Sequence, residues 1–286
     1  MRPLYLIIFL LFWGSCSETK VEQDQPETSP TTENLTTSAS AKETQNQAFQ
    51  KIIDDAKLNG VILIFDPQKN EFISNDFERS DRGYLPASTF KIPNSLILME
   101  TGVVDENTVF KWDGEERYLK VWERDFVFKD AFKYSCLPCY QEATPNVGVN
   151  RMKDFLKKFE YGKMKIDSAS MNSFWISGDS EVTARQQIEF LLKFYNSKLP
   201  ISKKTENFVK DIMVIDEKDT YKLSGKTGWL IDDDFNLGWF VGFVEKGENI
   251  YFVATNVDPK NDFDMDNFLK IRLKVSLDAM KELKII

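Results

Sequence analysis

Ser88-Thr89-Phe90-Lys91 sets a hydroxyl and an amine three residues apart, ahead of an apolar run that ends at Gly102. Residues three apart share one face of a helix. A helix starting near Ser88 therefore brings the serine oxygen and the lysine amine together. Such a pair suits nucleophilic chemistry, in which a neighbouring base makes a serine reactive. The free N–H groups and positive potential of a helix N-terminus also favour an oxyanion. Pro93 fits this helix only if it starts close to Ser88, because a first-turn residue has no N–H partner to lose. Ser-x-x-Lys alone arises by chance about once in a chain of this size, and a second copy runs from Ser17 to Lys20.

The identity of the base is narrowed by composition. The 286 residues contain no histidine and only three cysteines. A Ser-His-Asp triad and any His-ligated metal site are excluded, as is a Cys₄ zinc site within one chain. The base must be a carboxylate, a lysine or a modified lysine. A second signal is Lys226-Thr227-Gly228, at the end of a predicted strand. An edge strand there would offer backbone groups to an extended, amide-bearing substrate. Gly228 would allow close approach, and Lys226 and Thr227 could bind a substrate carboxylate. Ser-x-x-Lys together with Lys-Thr-Gly is the pairing of the penicillin-recognising serine enzymes.

The elements that must hold these residues follow from patterning. The chain is 42% apolar and 29% charged, which supports one sizeable core or at most two small ones. Net charge is −8 and no basic run stands out, so a nucleic-acid partner is not expected. Leu4 to Trp13 is continuously apolar after Arg2, too short to span a bilayer easily and suited to a signal-peptide core. Gly14-Ser15-Cys16 follows and resembles a bacterial lipobox, with Trp13 where an aliphatic residue is usual. The two readings are a lipid anchor on Cys16 and ordinary secretion. Residues 17–46 are polar and read as a flexible tether, which removes the Ser17 to Lys20 match from consideration.

From Gln47 onward the chain reads as folded. Ala48 to Leu58 has helical spacing, Val61 to Phe65 reads as a buried strand, and Glu71 to Ser74 as its return. Residues 105–180 are mixed and helix-leaning. Val182 to Asn196 reads as an amphipathic helix. Tyr221 to Thr227, Gly238 to Glu245 and Tyr251 to Val257 are predicted strands. Asp266 to Lys284 is a closing helix with Leu269, Leu273, Leu277 and Met280 on its apolar side. Strands at both ends and helices between predict an α/β chain of the α+β type. It has one mainly antiparallel sheet, flanking helices and an inserted, mostly helical region.

With these motifs in place, residues 47–286 resemble the class D β-lactamases, the oxacillinase family. The resemblance extends through Tyr84 to Asn94, Phe110 to Gly114, Trp122 to Asp125, Phe174-Trp175 and Gly238 to Gly242. It implies that Ser88 is acylated and that Lys91 is N-carboxylated by dissolved CO₂, serving as general base. Only a neutral amine reacts with CO₂, so the site must lower the lysine pKa. It further implies that the Trp175 indole N–H holds the carbamate. Ser135 would relay a proton to the leaving nitrogen, and the N–H groups of Ser88 and Trp229 would form the oxyanion hole. Arg272 would pair with the substrate carboxylate, alongside Lys226, Thr227 and Gly228. No metal or organic cofactor is implied, only CO₂ or bicarbonate, and the partners implied are β-lactams. The sequence leaves the oligomeric state open.

Two positions depart from the family pattern. Its Ser-x-Val reads Ser135-Cys136-Leu137, which puts a larger side chain beside the expected carbamate. Its Tyr-Gly-Asn reads Tyr161-Gly162-Lys163. Cys136 and Cys139 lie in no βαβ context, so a local disulfide and two buried thiols are the alternatives for them. Asp232-Asp233-Asp234 reads as a solvated loop. Two rival functions share the fold: a β-lactam sensor that stays acylated, and a cell-wall transpeptidase or carboxypeptidase. The latter would use Ser-x-Asn, whose letters occur at Ser170-Met171-Asn172.

Overall fold

The run Val61 to Phe65 is apolar at every position because both of its faces are covered. Ile62 and Ile64 point to one hydrophobic cluster, with Phe49, Ile53, Val253, Phe268, Val275 and Ala279. Val61, Leu63 and Phe65 point to the other, with Leu96, Ile188, Leu191, Val241 and Phe252. This is the period-two alternation of a strand, here inside a sheet covered by helices on each side. The protein, seen in a computed structural model, is described over residues 41–231 and 236–286. The expected signal segment with Cys16, most of the expected tether and the Asp232 to Asp234 run lie outside the described residues.

Strands β1 (Lys42–Gln45), β2 (Leu58–Asp66), β3 (Glu71–Ser74), β6 (Val214–Lys218), β7 (Tyr221–Ile231), β8 (Asn236–Lys246) and β9 (Asn249–Pro259) form a seven-stranded sheet in the order β1-β3-β2-β9-β8-β7-β6. A separate ladder joins β4 (Val109–Phe110) to β5 (Phe126–Val127). Pairing in the large sheet is antiparallel except for β1 with β3. The helices are α1 (Gln47–Asp55), α2 (Phe77–Ser80), α3 (Lys91–Glu100), α4 (Phe128–Lys133), α5 (Leu137–Ala143), α6 (Val149–Phe159), α7 (Ala184–Tyr195), α8 (Lys203–Ile212) and α9 (Phe268–Glu282). Helices α1 and α9 cover one face of the sheet, while α3 and α7 lie on the other. The region between β3 and β6 supplies the inserted helices, so the predicted α+β architecture is the one observed.

Two expectations are corrected. Residues 42–45, read from composition as tether, are the edge strand β1. Its backbone pairs with β3 and its side chains stay polar, as in the Lys42–Glu71 ion pair. An edge strand needs only free ladder groups beside it, not apolar side chains, so composition does not reveal it. Asn46 then caps α1, its side chain accepting from Ala48 N at 2.9 Å and Phe49 N at 3.3 Å. In α9 the buried stripe runs through Phe268, Arg272, Val275, Ser276, Ala279 and Met280, so Met280 lies on the core side as expected, whereas Leu269 is 51% exposed. The leucines Leu273 and Leu277 flank that stripe. The buried face is shifted from the one predicted chiefly in the first turn, where Phe268 and Arg272 rather than Leu269 pack against the end of β7 and β8.

Candidate active site

Ser88 is the only partly exposed residue between positions 86 and 98. It lies in a single 3₁₀ turn, Ala87–Phe90, that leads directly into α3. Ala87, just before it, has φ +50°, a left-handed conformation that costs a non-glycine residue about 1–2 kcal/mol. The turn is held in this shape from several directions. Ala87 N donates to Trp175 O at 2.9 Å, and Trp239 Nε1 donates to Leu85 O at 2.9 Å. Thr89 Oγ1 donates to Pro86 O and accepts from Gln187 Nε2, whose partner oxygen takes the Tyr161 hydroxyl at 3.0 Å. Phe90 is buried among Tyr161, Phe174 and Trp175, with its ring stacked 5.7 Å from the indole. Such a ring carries about 3–5 kcal/mol on truncation to alanine, so the turn is anchored by packing as well as by hydrogen bonds.

One helical turn beyond, Lys91 Nζ donates to Ser88 Oγ at 2.9 Å. The lysine is buried, and its pKa falls well below the ordinary value, first through desolvation and then through the nearby Lys226 charge. Burial thus favours the neutral form of its amine. The Tyr140 ring lies 5.1 Å from Nζ, and the Tyr140 hydroxyl is hydrogen-bonded to Ser95 Oγ at 2.7 Å. The indole Nε1 of Trp175 is buried and has no hydrogen-bond partner among the described residues. An orphaned buried donor of this kind costs about 1–3 kcal/mol, which favours any acceptor that can reach it.

The strand β7 closes the other side. A side-chain carbon at Gly228 would stand 3.2 Å from Pro86 O and 3.3 Å from Ser88 N, so the strand backbone runs hard against the Ser88 turn. Lys226 is buried and lowered to about 7, by desolvation and then by Arg272. Its Nζ donates to Thr227 O at 3.1 Å and faces the Phe132 ring at 5.8 Å. Arg272 is buried, lowered to about 10 by desolvation, and still carries its charge at neutral pH. It donates to Gly228 O and to Leu269 O, and its guanidinium lies 5.7 Å from the Trp229 ring. Trp229 is itself fixed by Nε1 donating to Asn236 Oδ1 at 3.0 Å. Lys226 and Arg272 together give this wall a positive character suited to a carboxylate.

Ser135 sits in the link from α4 to α5, and Leu137 is the first residue of α5. Ser135 has φ +54° and is half-buried, as is Leu137. The helices on either side of the link adjoin the site, α4 through Phe132 beside Lys226 and α5 through Tyr140 beside Lys91. Cys136 and Cys139 form a disulfide, which decides between the two alternatives left by the sequence. Ser170 is tied into its own loop, donating to Asp167 Oδ1 at 2.9 Å and accepting from Asp167 N at 3.0 Å. The Ser-x-Asn letters there are therefore part of a local turn. Among the described residues no cluster of three His, Cys, Asp or Glu could hold a metal ion.

These contacts link Ser88, Lys91, Lys226, Gly228, Trp229 and Arg272 directly, and Trp175 through Phe90 and Ala87. Sequence reasoning missed Gln187, Tyr140, Phe90 and Trp239, which hold these groups in place. Gln187 had a readable sign, being a polar residue on the buried face of an amphipathic helix beside Ile188 and Leu191.

Comparison with known proteins gives a consistent picture. The profile of the penicillin binding protein transpeptidase domain matches residues 28–280. Beta-lactamase OXA-48 of Klebsiella pneumoniae is 39% identical over 251 residues, which is 87% of this chain and 92% of that one. Beta-lactamase OXA-10 of Pseudomonas aeruginosa is 39% identical over 238 residues, covering 82% and 87% respectively. Among solved structures, a class D beta-lactamase from Sebaldella termitidis superimposes with a TM-score of 0.81 at 37% identity, covering 86% of this chain and all of the other. The class D enzyme FUS-1 from Fusobacterium nucleatum gives a TM-score of 0.79 at 32% identity, over 85% of this chain.

Proposed function

Since the chain belongs to the class D β-lactamases, we propose that it opens β-lactam rings through an acyl-enzyme on Ser88, with Lys91 N-carboxylated, and so confers β-lactam resistance. The observation that carries this reading is the 2.9 Å contact between Ser88 Oγ and a Lys91 amine whose burial lowers its pKa well below the ordinary value. The Ser88 oxygen attacks the lactam carbonyl carbon as its proton leaves towards the Lys91 terminus. The carbonyl oxygen gathers charge against the N–H groups of Ser88 and Trp229. The carbon–nitrogen bond then breaks and the nitrogen takes a proton relayed by Ser135. Water next attacks the ester and frees Ser88. Lys226, Thr227 and Arg272 hold the substrate carboxylate, and Leu137 borders the space left for water.

The site suits a carbamate. A neutral amine is the form that reacts with CO₂, and the unpartnered Trp175 N–H is a donor for one of the two carbamate oxygens. When present on Lys91, the carbamate supplies an anionic proton acceptor beside Ser88.

Residues 1–16 are proposed as an export signal and Cys16 as its lipidated end, which would put the enzyme in the periplasm. The Cys136–Cys139 disulfide supports an oxidising compartment. No helix among the described residues is long and apolar enough to cross a membrane.

The test is hydrolysis of a penicillin and a chromogenic cephalosporin by the full-length chain, with and without bicarbonate. Sustained turnover that bicarbonate increases is expected. A single burst equal to the enzyme concentration, with nothing after it, would replace this reading with the sensor or the transpeptidase. A second expected result concerns the β7 wall. Gly228→Ala should push the strand from the Ser88 turn by a few tenths of an ångström and lower kcat/KM about tenfold through misalignment. Steady-state kinetics with unchanged circular dichroism would show it, and an unchanged kcat/KM would mean that the strand is free to shift.

A further inference from the structure

We propose that the Cys136–Cys139 disulfide is a positioning element of the active site, fixing the turn that presents Ser135 and the start of the helix that sets Tyr140 beside Lys91. The proposal rests on the reading of Ser88, Lys91 and Ser135 given above. The bridge spans only three residues in sequence. Ser135 lies immediately before it, Leu137 and Pro138 lie within it, and Tyr140 immediately follows it. One end of the bridge is therefore a single residue from the proposed proton relay Ser135, and the other a single residue from Tyr140, whose ring lies 5.1 Å from Lys91 Nζ.

Without a cross-link this segment is weakly specified. Ser135 is left-handed, held by its N–H to Phe132 O at 3.1 Å and by Cys136 N to Ala131 O at 2.8 Å. Helix α5 has seven residues, below the length at which a helix is stable by itself. Its cap is the Cys136 sulfur, accepting from Cys139 N at 3.3 Å, and sulfur is a weak acceptor. A short helix, a weak cap and a left-handed serine leave the segment several ways to relax. The covalent ring removes them. So short a ring takes little entropy from the unfolded chain, since the benefit of a cross-link grows with loop length. Its effect is local geometry more than global stability. Both cysteines are buried, and they border a surface hollow of about 420 Å³ shared with Trp112, Trp122, Arg124 and Pro138. That hollow is the route by which a small reductant reaches the bond.

The experiment compares the oxidised full-length chain with the double variant Cys136→Ser/Cys139→Ser, which keeps an acceptor at the cap and lacks only the bridge. It also uses wild type treated with dithiothreitol and desalted under nitrogen. Dithiothreitol cleaves the sulfur–sulfur bond by thiolate exchange, leaves two cysteine thiols and ends as its own cyclic disulfide. The acylated fraction is read by mass spectrometry after quenching with a penicillin, and kcat/KM is read alongside. The expected result is one acyl group per enzyme in every form, with kcat/KM about tenfold lower in the variant and in the reduced enzyme, the scale of a misaligned reacting group. The variant should be indifferent to dithiothreitol. An unchanged kcat/KM in the variant overturns the proposal. So does an acylated fraction that falls in step with activity, because lost fold would then account for the loss. An oxidised wild type that forms no acyl-enzyme at all overturns the catalytic reading, and this inference with it.

Discussion

Replacing Lys91 by methionine is expected to lower kcat for penicillins at least about 10³-fold, within the range for loss of a positioned general base. Methionine keeps the length of the buried stem and removes only the amine. Ser88 then loses its partner at 2.9 Å, and no histidine exists anywhere in the chain to replace it. Both proton transfers at Ser88, on acylation and on release, lose the same group. The fold should gain from the change. The folded pKa of Lys91 lies well below its unfolded value, so between the two the unfolded chain binds the extra proton. Wild-type stability therefore declines as pH falls below the unfolded value and levels off once the folded pKa is passed. Methionine carries no such penalty. In CO₂-free buffer the Tm advantage of Lys91→Met should widen as pH is lowered from about 10, near the unfolded lysine value. Thermal melts across pH would show it. A variant less stable than wild type by the same margin at every pH would mean that the amine is not held neutral.

Trp175→Phe separates the indole N–H from the indole ring. Phenylalanine can keep the stack on Phe90, and the bond from Ala87 N to Trp175 O involves only backbone. What disappears is a buried donor that has no partner among the described residues. If that donor holds a carbamate oxygen, its loss removes a charge-assisted hydrogen bond of about 1.5–3 kcal/mol. Carbamate occupancy should then fall by about ten- to a hundredfold, and kcat with it in unsupplemented buffer. Bicarbonate should recover a large part of the loss by mass action. The unfolding midpoint should change little, because lost ring volume and the removal of an orphaned N–H oppose each other. Wild-type kcat in Trp175→Phe without bicarbonate would leave the indole as a packing group only.

The sequence made the reacting pair legible because the contact is local. Ser88 and Lys91 meet through one helical turn, and spacing alone predicts it. The β7 wall was nearly as clear, since Lys226 to Gly228 ends a run with strand patterning. The groups that hold the pair were hidden for the opposite reason. Gln187 reaches Thr89 across 98 residues of sequence and Tyr140 reaches Ser95 across 45, and no local pattern encodes such meetings. The shifted buried face of α9 was hidden because a buried arginine reads as a surface charge until its acceptors, Gly228 O and Leu269 O, are known. The choice between disulfide and thiols at Cys136 and Cys139 depends on how two side chains face each other, which composition does not fix.

The short strand β1 also decides how the molecule behaves among its own copies. A sheet edge with unpaired N–H and C=O groups is a template on which another chain can add a strand, and so a seed of aggregation. Here β3 would be that edge, and its residues are buried beneath β1. The chain covers it with four polar residues drawn from the stretch leading into the domain, Lys42 fastened to Glu71 and Glu43 to Arg185. A lead-in that looks dispensable by composition is therefore the hem of the sheet, and trimming the protein back to Gln47 would unpick it.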